Sequence, residues 1–374
     1  MKICFVIPSL NHGGAELLLR DVSNQLVKRG ISVQIVVLSV STDLIDSFSA
    51  DVEFKFLNDR VLSSFSRKAF FNSWKYRKEL KSIFEDFEPD HIIAHLPISH
   101  HIVRLVALTN NFGIKIWMHH HSLQYEANPI KTISQKTLFY LTKFLSKKLD
   151  FGHIFISKSV LNHVSSRLGT SKNYVLLNSV VDKYQLISET KKPNEFEQKY
   201  NIVVPGRLVK EKGHLPFLNA IKSFVEKKNI IIHIIGEGPE RMTIESFVNA
   251  KGLNERVKMH GRMDQDELLK YMYHSDIIIV PSLIEGFGMV AAEALMLNKI
   301  CIVSDAGGLT EVIDDNRNGF VFKSGNFGDL NLLLNKLYQN DQANERLTIR
   351  ESYLNKFTIE SYVDKLLSIL SSYN

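Results

Sequence analysis

Short apolar runs alternate with helical patterns along the whole chain. Residues 3–7 predict a buried strand, and the apolar residues that follow recur three or four apart up to Leu26, which predicts a helix that Gly30 ends. Further strands predicted in the first half are 33–38, 92–94, 114–118, 154–156 and 175–177. Apolar strands separated by helices are typical of a parallel sheet that is covered on both faces.

The pattern starts again after a polar stretch at residues 189–200. Strands predicted in the second half are 201–205, 230–235, 257–259, 277–280, 300–304 and 319–322. We therefore predict an α/β fold of two Rossmann-like, doubly wound domains that face each other across a cleft. The first domain is 1–188, with a C-terminal helix at about 358–374 packed back on it, and the second is 189–357.

Composition narrows the class of protein without identifying it. The chain has 374 residues, of which 44% are hydrophobic, and its only cysteines, Cys4 and Cys301, lie in apolar runs that suggest neither a disulfide framework nor a zinc site. No signal peptide or long apolar segment is evident, so we expect a cytoplasmic protein. The net charge of +6 favours an anionic partner, which could be nucleic acid, a phosphorylated ligand or an acidic lipid surface.

Two glutamates flank a predicted helix start in the second half. Glu285 follows the strand at 277–280, and Glu293 lies about two turns into the helix that Gly286 and Gly288 open. Backbone N–H groups and the helix dipole at such a start favour a phosphate, and the carboxylates can accept hydrogen bonds from sugar hydroxyls. The alternative is that both are solvated surface acids, which the glycines and the strand-loop-helix setting disfavour.

Arg207 and Lys212 follow the strand at 201–205, where a parallel sheet binds ligands. A guanidinium fork and an ammonium suit a diphosphate that leaves with new negative charge. Surface ion pairing is the alternative, for which Lys210 is the better candidate.

Six short motifs stand in order along the second half. They are Pro205-Gly-Arg-Leu with Glu211-Lys-Gly213, Gly236-Glu-Gly-Pro, Gly261-Arg262, Pro281-Ser282 leading into Glu285-Gly-Phe-Gly-Met-Val-Ala-Ala-Glu293, Ser304-Asp-Ala-Gly-Gly308 with Glu311, and Asn318-Gly-Phe320. This half resembles the donor domain of the retaining GT-B glycosyltransferases of family four, in which two glutamates separated by seven residues mark the donor site.

The resemblance implies a role for each matching residue. Arg207 and Lys212 would hold the diphosphate of a nucleotide-sugar, Glu285 the transferred sugar and Glu293 the ribose. The rest of the implied donor site comprises Gly238, Arg262, Met263, Gly286, Phe287, Gly288 and Met289.

The first half resembles the family less closely. Gly13 and Gly14 match its glycine-rich phosphate loop, although a pair of glycines also suits a tight turn. The family places a histidine after a first-domain strand, against the donor sugar, and His119 is the first choice here. His121 is second, because alternation would point it to the same side, and His120 is the third candidate.

The three histidines could also indicate a metal. Adjacent residues of one strand cannot all face one ion, and no carboxylate or cysteine partner is evident nearby, so no metal site is expected. A nicotinamide cofactor is also not expected, because Gly13 and Gly14 lack the spacing of the dinucleotide fingerprint.

The resemblance implies a retaining transfer that needs neither cofactor nor metal, because the cations and the helix start neutralise the leaving diphosphate. No first-half carboxylate is placed to act as a covalent nucleophile, so front-face attack by the acceptor hydroxyl is expected. The expected partners are a nucleotide-sugar, with a UDP-sugar favoured, and a glycan acceptor that is lipid-linked or of the lipopolysaccharide or capsule type. Nucleic acid is not expected.

Two stretches are basic and aromatic, at residues 60–84 and 131–149. Either their aromatic residues pack in the first domain, or the stretches lie on the anionic inner surface of the cell membrane as a peripheral contact.

Two other functions suit the same architecture. One is a nucleotide-sugar epimerase, which would need acid-base carboxylates but no acceptor site, and the other is a non-catalytic partner subunit. The presence of Glu285, Glu293, Arg207 and Lys212 together argues against a non-catalytic subunit. The sequence leaves open the donor sugar and base, the acceptor and linkage, and the oligomeric state.

Overall fold

The chain folds into two compact units, each built on one parallel sheet. The computed structural model describes residues 1–11, 13–40, 43–63, 67–110, 113–127, 130–196, 199–339 and 347–373. The first unit comprises residues 1–178 with 359–374, and the second comprises residues 179–358. The predicted pair of Rossmann-like α/β domains is thereby confirmed.

The first unit has a seven-stranded parallel sheet in the order β3-β2-β1-β4-β5-β6-β7. Its strands are β1 Lys2–Ile7, β2 Ser32–Val37, β3 Glu53–Phe56, β4 His91–His95, β5 Lys115–His120, β6 Gly152–Phe155 and β7 Asn173–Val175. Its helices up to the unit boundary are α1 Gly14–Lys28, α2 Arg67–Asn72, α3 Arg77–Phe87, α4 Leu96–Thr109, α5 Gln124–Ala127, α6 Ile133–Leu149 and α7 Lys158–Leu168.

The second unit repeats the arrangement with six strands in the order β10-β9-β8-β11-β12-β13. The strands are β8 Tyr200–Pro205, β9 Ile230–Ile235, β10 Val257–Gly261, β11 Ile277–Val280, β12 Cys301–Ser304 and β13 Phe320–Phe322. The helices are α8 Tyr184–Ser188, α9 His214–Lys227, α10 Arg241–Ala250, α11 Gln265–His274, α12 Met289–Met296, α13 Leu309–Val312, α14 Phe327–Gln339 and α15 Ile349–Lys356.

The last helix, α16 (Ile359–Ser371), packs in the first unit against α1. The guanidinium of Arg29 donates to the Asp364 carboxylate and to the Glu360 carbonyl. The segment 179–188, which the sequence analysis placed in the first domain, lies in the second unit. Val180 bridges to Thr358 and accepts a hydrogen bond of 2.9 Å from the Tyr353 hydroxyl.

One strand was not predicted, and most of the others begin or end one or two residues from their predicted bounds. β3 was not predicted, because it is a four-residue edge strand whose residues alternate between exposed and half-buried positions. β5 extends two residues beyond its predicted end, because His119 pairs with His95 and Ile154 and His120 pairs with Phe155. His119 is therefore the fifth residue of a strand and does not follow one.

Each sheet reverses its strand order once. The reversal lies between β1 and β4 in the first unit and between β8 and β11 in the second. Loops leave the carboxyl ends of these neighbouring strands in opposite directions, which opens a crevice where doubly wound sheets bind ligands.

A buried ion pair fastens α4 to the end of α6. The Arg104 guanidinium donates two hydrogen bonds of 2.8 and 2.5 Å to the Asp150 carboxylate, and Ser146 donates a third of 2.6 Å. The two charged side chains are at most 3% exposed. Across the described ranges, every helix is too short or too polar to span a bilayer.

We predict that Asp150→Ala lowers the free energy of unfolding of the first unit by about 3 to 5 kcal/mol, because it leaves the Arg104 charge buried without its partner. The measurement is urea unfolding followed by tryptophan fluorescence, since both tryptophans, Trp74 and Trp117, lie in this unit. Glu85→Ala, which breaks an exposed ion pair with Lys81 in the same unit, is the control and should change stability by less than about 1 kcal/mol. A similar small loss for Asp150→Ala would contradict the prediction.

Candidate functional site

The loop after β8 presents two cations at the crevice of the second unit. Arg207 is exposed, and Lys212 ends a 3₁₀ turn at Lys210–Lys212 and is half-buried. Gly213 is the N-cap of α9 with φ 69°, and a Cβ there would collide with the Pro281 carbonyl. Glycine is therefore required for the loop after β8 to contact the loop after β11.

The loop after β11 is bound to its neighbours by backbone hydrogen bonds. The N–H groups of Leu283 and Ile284 donate to the Glu211 carbonyl at 2.7 and 3.2 Å. The Gly308 N–H donates to the Glu285 carbonyl at 3.1 Å. This backbone is fixed from both sides, so Glu285 is held on a rigid support.

Lys212 and Glu285 form an ion pair. Lys212 Nζ lies 2.5 Å from Glu285 Oε2, and the Ser282 hydroxyl donates to the same oxygen at 3.3 Å. The two side chains are 22% and 15% exposed, so the pair is partly desolvated yet reachable. The two residues that the sequence analysis assigned to phosphate and sugar thus lie in direct contact.

Glu293 is buried one helical turn behind the start of α12. Its side chain is 6% exposed, and burial raises the pKa of its carboxyl to about 7. Gln265 donates to its Oε1 at 3.5 Å and, with the more distant Lys183 charge, partly offsets that shift. α12 begins at Met289, with Gly288 as its N-cap at φ 108°. The carboxyl is therefore poised to change charge near neutral pH.

Other residues of the predicted donor site either pack within the protein, as Phe287 and Gly238 do, or remain open to a ligand, as Arg262 and Met263 do. Phe287 is 2% exposed and packs against Phe357 with ring centroids 6.0 Å apart, so its side chain belongs to the core. A Cβ on Gly238 would collide with the Leu208 carbonyl, which ties the loop after β9 to that after β8. Arg262 is exposed and Met263 half-buried directly after β10, where a ligand can reach both.

His214 is a residue of this crevice that the sequence analysis did not identify. It is the first residue of α9, its ring is 3% exposed, and neither ring nitrogen has a hydrogen-bond partner in the described chain. Burial, reinforced by the Lys212 charge, lowers the pKa of its imidazole to about 4. Its position between a glycine and a helical pattern gave no signal in the sequence.

In the first unit, Gly13 is the N-cap of α1 and follows β1 at the strand reversal. Its φ of −104° is ordinary, so the absence of a side chain matters for another reason. A Cβ at Gly13 would collide with the carboxylate of Glu16, which lies in the first turn of α1 beside Gly14. The negative charge of that carboxylate stabilises the N-terminus of α1 and disfavours the binding of a second anion there.

The three consecutive histidines face two sides of the sheet. His120 points to one side, where its Nε2 lies 3.2 Å from Nδ1 of His153. His119 and His121 share the other side with ring centroids 4.1 Å apart, as alternation predicted. The His119 ring is 2% exposed whereas His121 is half-buried, so the second choice of the sequence analysis is the more accessible.

His95 joins this pair from the neighbouring strand. It is the last residue of β4, and its Nδ1 lies 3.0 Å from Nε2 of His121. Its ring also contacts that of His119, with centroids 4.8 Å apart. The sequence analysis ended this strand at Ala94, but a polar residue at the carboxyl end of a strand is a signal that could have identified it.

Both halves of the chain match known protein families. Residues 12–182 match the family described as Glycosyltransferase Family 4, and residues 187–352 match the one described as Glycosyl transferases group 1. The two matches divide the chain close to the boundary between the two units.

Similar proteins include an uncharacterised 41.2 kDa protein in the cps region of Klebsiella pneumoniae, 29% identical over 65% of this chain and 67% of that protein. An uncharacterised glycosyltransferase of Methanocaldococcus jannaschii is 29% identical over 52% of this chain and 51% of its own, so the match spans about half of that relative. A solved structure, Anabaena HepE in complex with UDP and glucose, has a TM-score of 0.81 at 18% identity over 100% of both chains.

We predict that Glu293→Gln stabilises the second unit at pH 8 but not at pH 4.5. Between pH 4.5 and 7 the unfolded chain loses the Glu293 proton while the folded chain retains it, so the free energy of unfolding of the wild type falls across that window. The fall is about 3 kcal/mol, because each pKa unit of difference is worth about 1.36 kcal/mol. Calorimetric unfolding at both pH values measures the difference. The exposed Glu255→Gln should change neither value, and an equal effect of Glu293→Gln at both pH values would refute the raised pKa.

Proposed function

Because this chain belongs to the GT-B glycosyltransferases, we propose that it transfers a hexose or N-acetylhexosamine from a nucleotide-sugar to a glycan acceptor. The transfer retains the anomeric configuration of the donor. The proposal rests above all on the contact between Lys212 and Glu285 at the crevice of the second unit, beside the start of α12.

In this site, the diphosphate binds where positive charge is concentrated. Arg207 is exposed and can present two parallel N–H donors, and Lys212 supplies a point charge a few residues further along. The dipole at the start of α12 favours an anion too. These groups stabilise the negative charge that develops on the leaving nucleoside diphosphate, so the reaction needs no metal ion.

Glu285 is proposed to orient the sugar. One of its oxygens is occupied by Lys212 and Ser282, which leaves the carboxylate fixed with its other oxygen able to accept from a sugar hydroxyl. The proposal that sugar and phosphate bind side by side is supported by the contact between Lys212 and Glu285, since the two groups are joined by a bond. Glu293 is proposed to accept a hydrogen bond from the ribose.

The first unit is proposed to supply a histidine for the sugar, His119 or the more accessible His121. The loop at Gly13 and Gly14 is proposed to approach the donor phosphate with its backbone, although the nearby Glu16 carboxylate weakens that assignment. The acceptor hydroxyl attacks from the face that the diphosphate leaves, and the departing phosphate accepts its proton.

A UDP-sugar is the favoured donor. The supporting observation is that Anabaena HepE, which has the same fold, was crystallised with UDP and glucose. The relative in the Klebsiella cps region suggests that the acceptor is a surface glycan or its lipid-linked precursor.

A lipid-linked acceptor is consistent with the surface of α6. Ile133, Tyr140 and Phe144 are 83%, 67% and 61% exposed, and their spacing of seven and four residues puts them on one helix face. Lys136, Lys143, Lys147 and Lys148 flank that face, and the helix contains no acidic residue. We propose that α6 lies on the anionic inner surface of the cell membrane, with the enzyme in the cytoplasm.

The other basic stretch, residues 60–84, divides between the core and the surface. Phe84 is buried and Tyr76 packs against the same core cluster, whereas Phe71 and Trp74 are 66% and 46% exposed. Residues 64–66 lie outside the described residues. The exposed pair is proposed to extend the same membrane contact.

We predict that Glu285→Ala and Lys212→Ala each lower the transfer rate by about 100-fold or more, because each removes an interaction with the reacting sugar phosphate. Release of nucleoside diphosphate from UDP-sugars, with and without acceptor, measures the rate. It also tests the two rival functions, since an epimerase changes the donor without releasing the diphosphate and a non-catalytic subunit does neither.

Lys210→Ala is the matched control, since Lys210 is an exposed lysine of the same turn and should leave the rate within about twofold. In the variant that combines Lys212→Ala with Glu285→Ala, the two losses of transfer rate should not add, because these side chains contact each other. Near-normal turnover of Glu285→Ala in a folded protein would refute the site.

We predict that replacing Tyr140 and Phe144 together by serine reduces binding to vesicles containing an anionic lipid by about tenfold or more, because two exposed aromatic rings lose their apolar contact. Co-sedimentation at low and high salt measures it. Leu332→Ser, which removes a 74% exposed leucine on α14 of the second unit, should have no effect. The proposed surface would be excluded if Leu332→Ser lost as much vesicle binding as the Tyr140 and Phe144 double variant. It would also be excluded if neither salt nor lipid charge changed the binding.

A further inference from the structure

The three imidazoles of His95, His119 and His121 converge on one point in the first unit. His95 Nδ1 and His121 Nε2 are 3.0 Å apart, and each of the three rings offers a nitrogen within 4.8 Å of the other two. Nitrogens bound to one tetrahedral Zn²⁺ at about 2.0 Å stand about 3.3 Å apart, so side-chain rotation alone could bring the third ring into place.

Strand pairing explains the convergence. His95 and His119 are partners in the register of β4 and β5, so their side chains leave the same face of the sheet side by side. His121 lies two residues beyond His119 and returns to that face, while His120 points away. Alternation along β5 therefore keeps only His120 away from a shared ion, and the neighbouring strand offers His95 as the third ligand.

One buried ring nitrogen of this cluster has no hydrogen bond that would compete with an ion. A neutral imidazole has one lone pair for a ligand, and Nε2 of His119 is buried with no hydrogen-bond partner among the described residues.

We propose that His95, His119 and His121 form a binding site for a divalent transition ion of the Zn²⁺ type, with a fourth position open to water or an anion. Three imidazoles with an open position are a ligand set typical of zinc. The ring that donates the hydrogen bond between His95 and His121 moves its proton to its other nitrogen when the ion binds, so no proton is released overall. The transfer proposed above uses His119 or His121 without the ion, so Zn²⁺ bound to these rings would compete with the donor sugar for them.

A second histidine cluster in the other unit provides a contrast. His233 bonds to His260 at 2.9 Å and to the Asn201 side chain at 3.0 Å, so both of its ring nitrogens are already occupied. Nδ1 of His260 lies 3.8 Å from the Glu195 carboxylate. This chain of hydrogen bonds is complete without an ion, and we expect it to bind none.

The test is equilibrium binding of Zn²⁺ alone to the 374-residue chain, measured by titration calorimetry and by competition with a chromophoric chelator. We expect one ion per chain with a Kd tighter than about 1 µM, and Co²⁺ should give the visible absorption bands of a tetrahedral site. His95→Gln and His121→Gln should each weaken binding by about 100-fold or more. Activity is not a readout, so failure of the transferase proposal would leave this test intact.

His120→Gln and His260→Gln are matched controls, the first on the opposite face of the same strand and the second in the other cluster. Both should bind Zn²⁺ like the wild type. The half-buried His121 keeps the test valid if His95→Gln fails to fold, and circular dichroism checks the folding of each variant. The proposal is overturned if no stoichiometric ion binds, if His121→Gln binds normally, or if His260→Gln alone abolishes binding.

Discussion

The pairing of parallel strands that are buried on both faces is the constraint on which the rest of this structure depends. Every strand must be followed by a crossing connection, so all loops at one edge of a sheet follow carboxyl ends. The strand order reverses between β8 and β11, and the two loops that follow these strands contact each other and carry Arg207, Lys212 and Glu285. The positions of the charges therefore follow from strand topology before any ligand is considered.

Close backbone contacts give these loops their precision. Gly213 and Gly238 lie against carbonyls where no Cβ fits, and both have a positive φ that other residues rarely adopt. The three loops after β8, β9 and β11 thereby pack directly against one another through their backbones. The Lys212–Glu285 contact is a consequence, since neither residue reaches the other unless the loops touch.

The sequence predicted most of the fold because buried parallel strands are continuous apolar runs, and β9 and β11 lie where they were expected. It missed β3, whose Glu-Phe-Lys-Phe pattern is too short to separate from a loop. The candidate residues of the second unit could be named because glycines and charges mark them. His214 could not, since no local pattern encodes its burial at the start of α9. His95 could have been noticed as a polar residue at a strand end, but its pairing with His119 depends on strand register, which no local pattern encodes.

The return of α16 to the first unit has a consequence for synthesis of the chain. Leu18, Leu19 and Val22 of α1 share a small pocket with Tyr362 and Leu366 of α16. During translation these α1 side chains leave the ribosome with α1, whereas α16 follows only after the whole second unit. The second unit can therefore complete its fold first, while the apolar face of α1 stays uncovered until α16 has been synthesised.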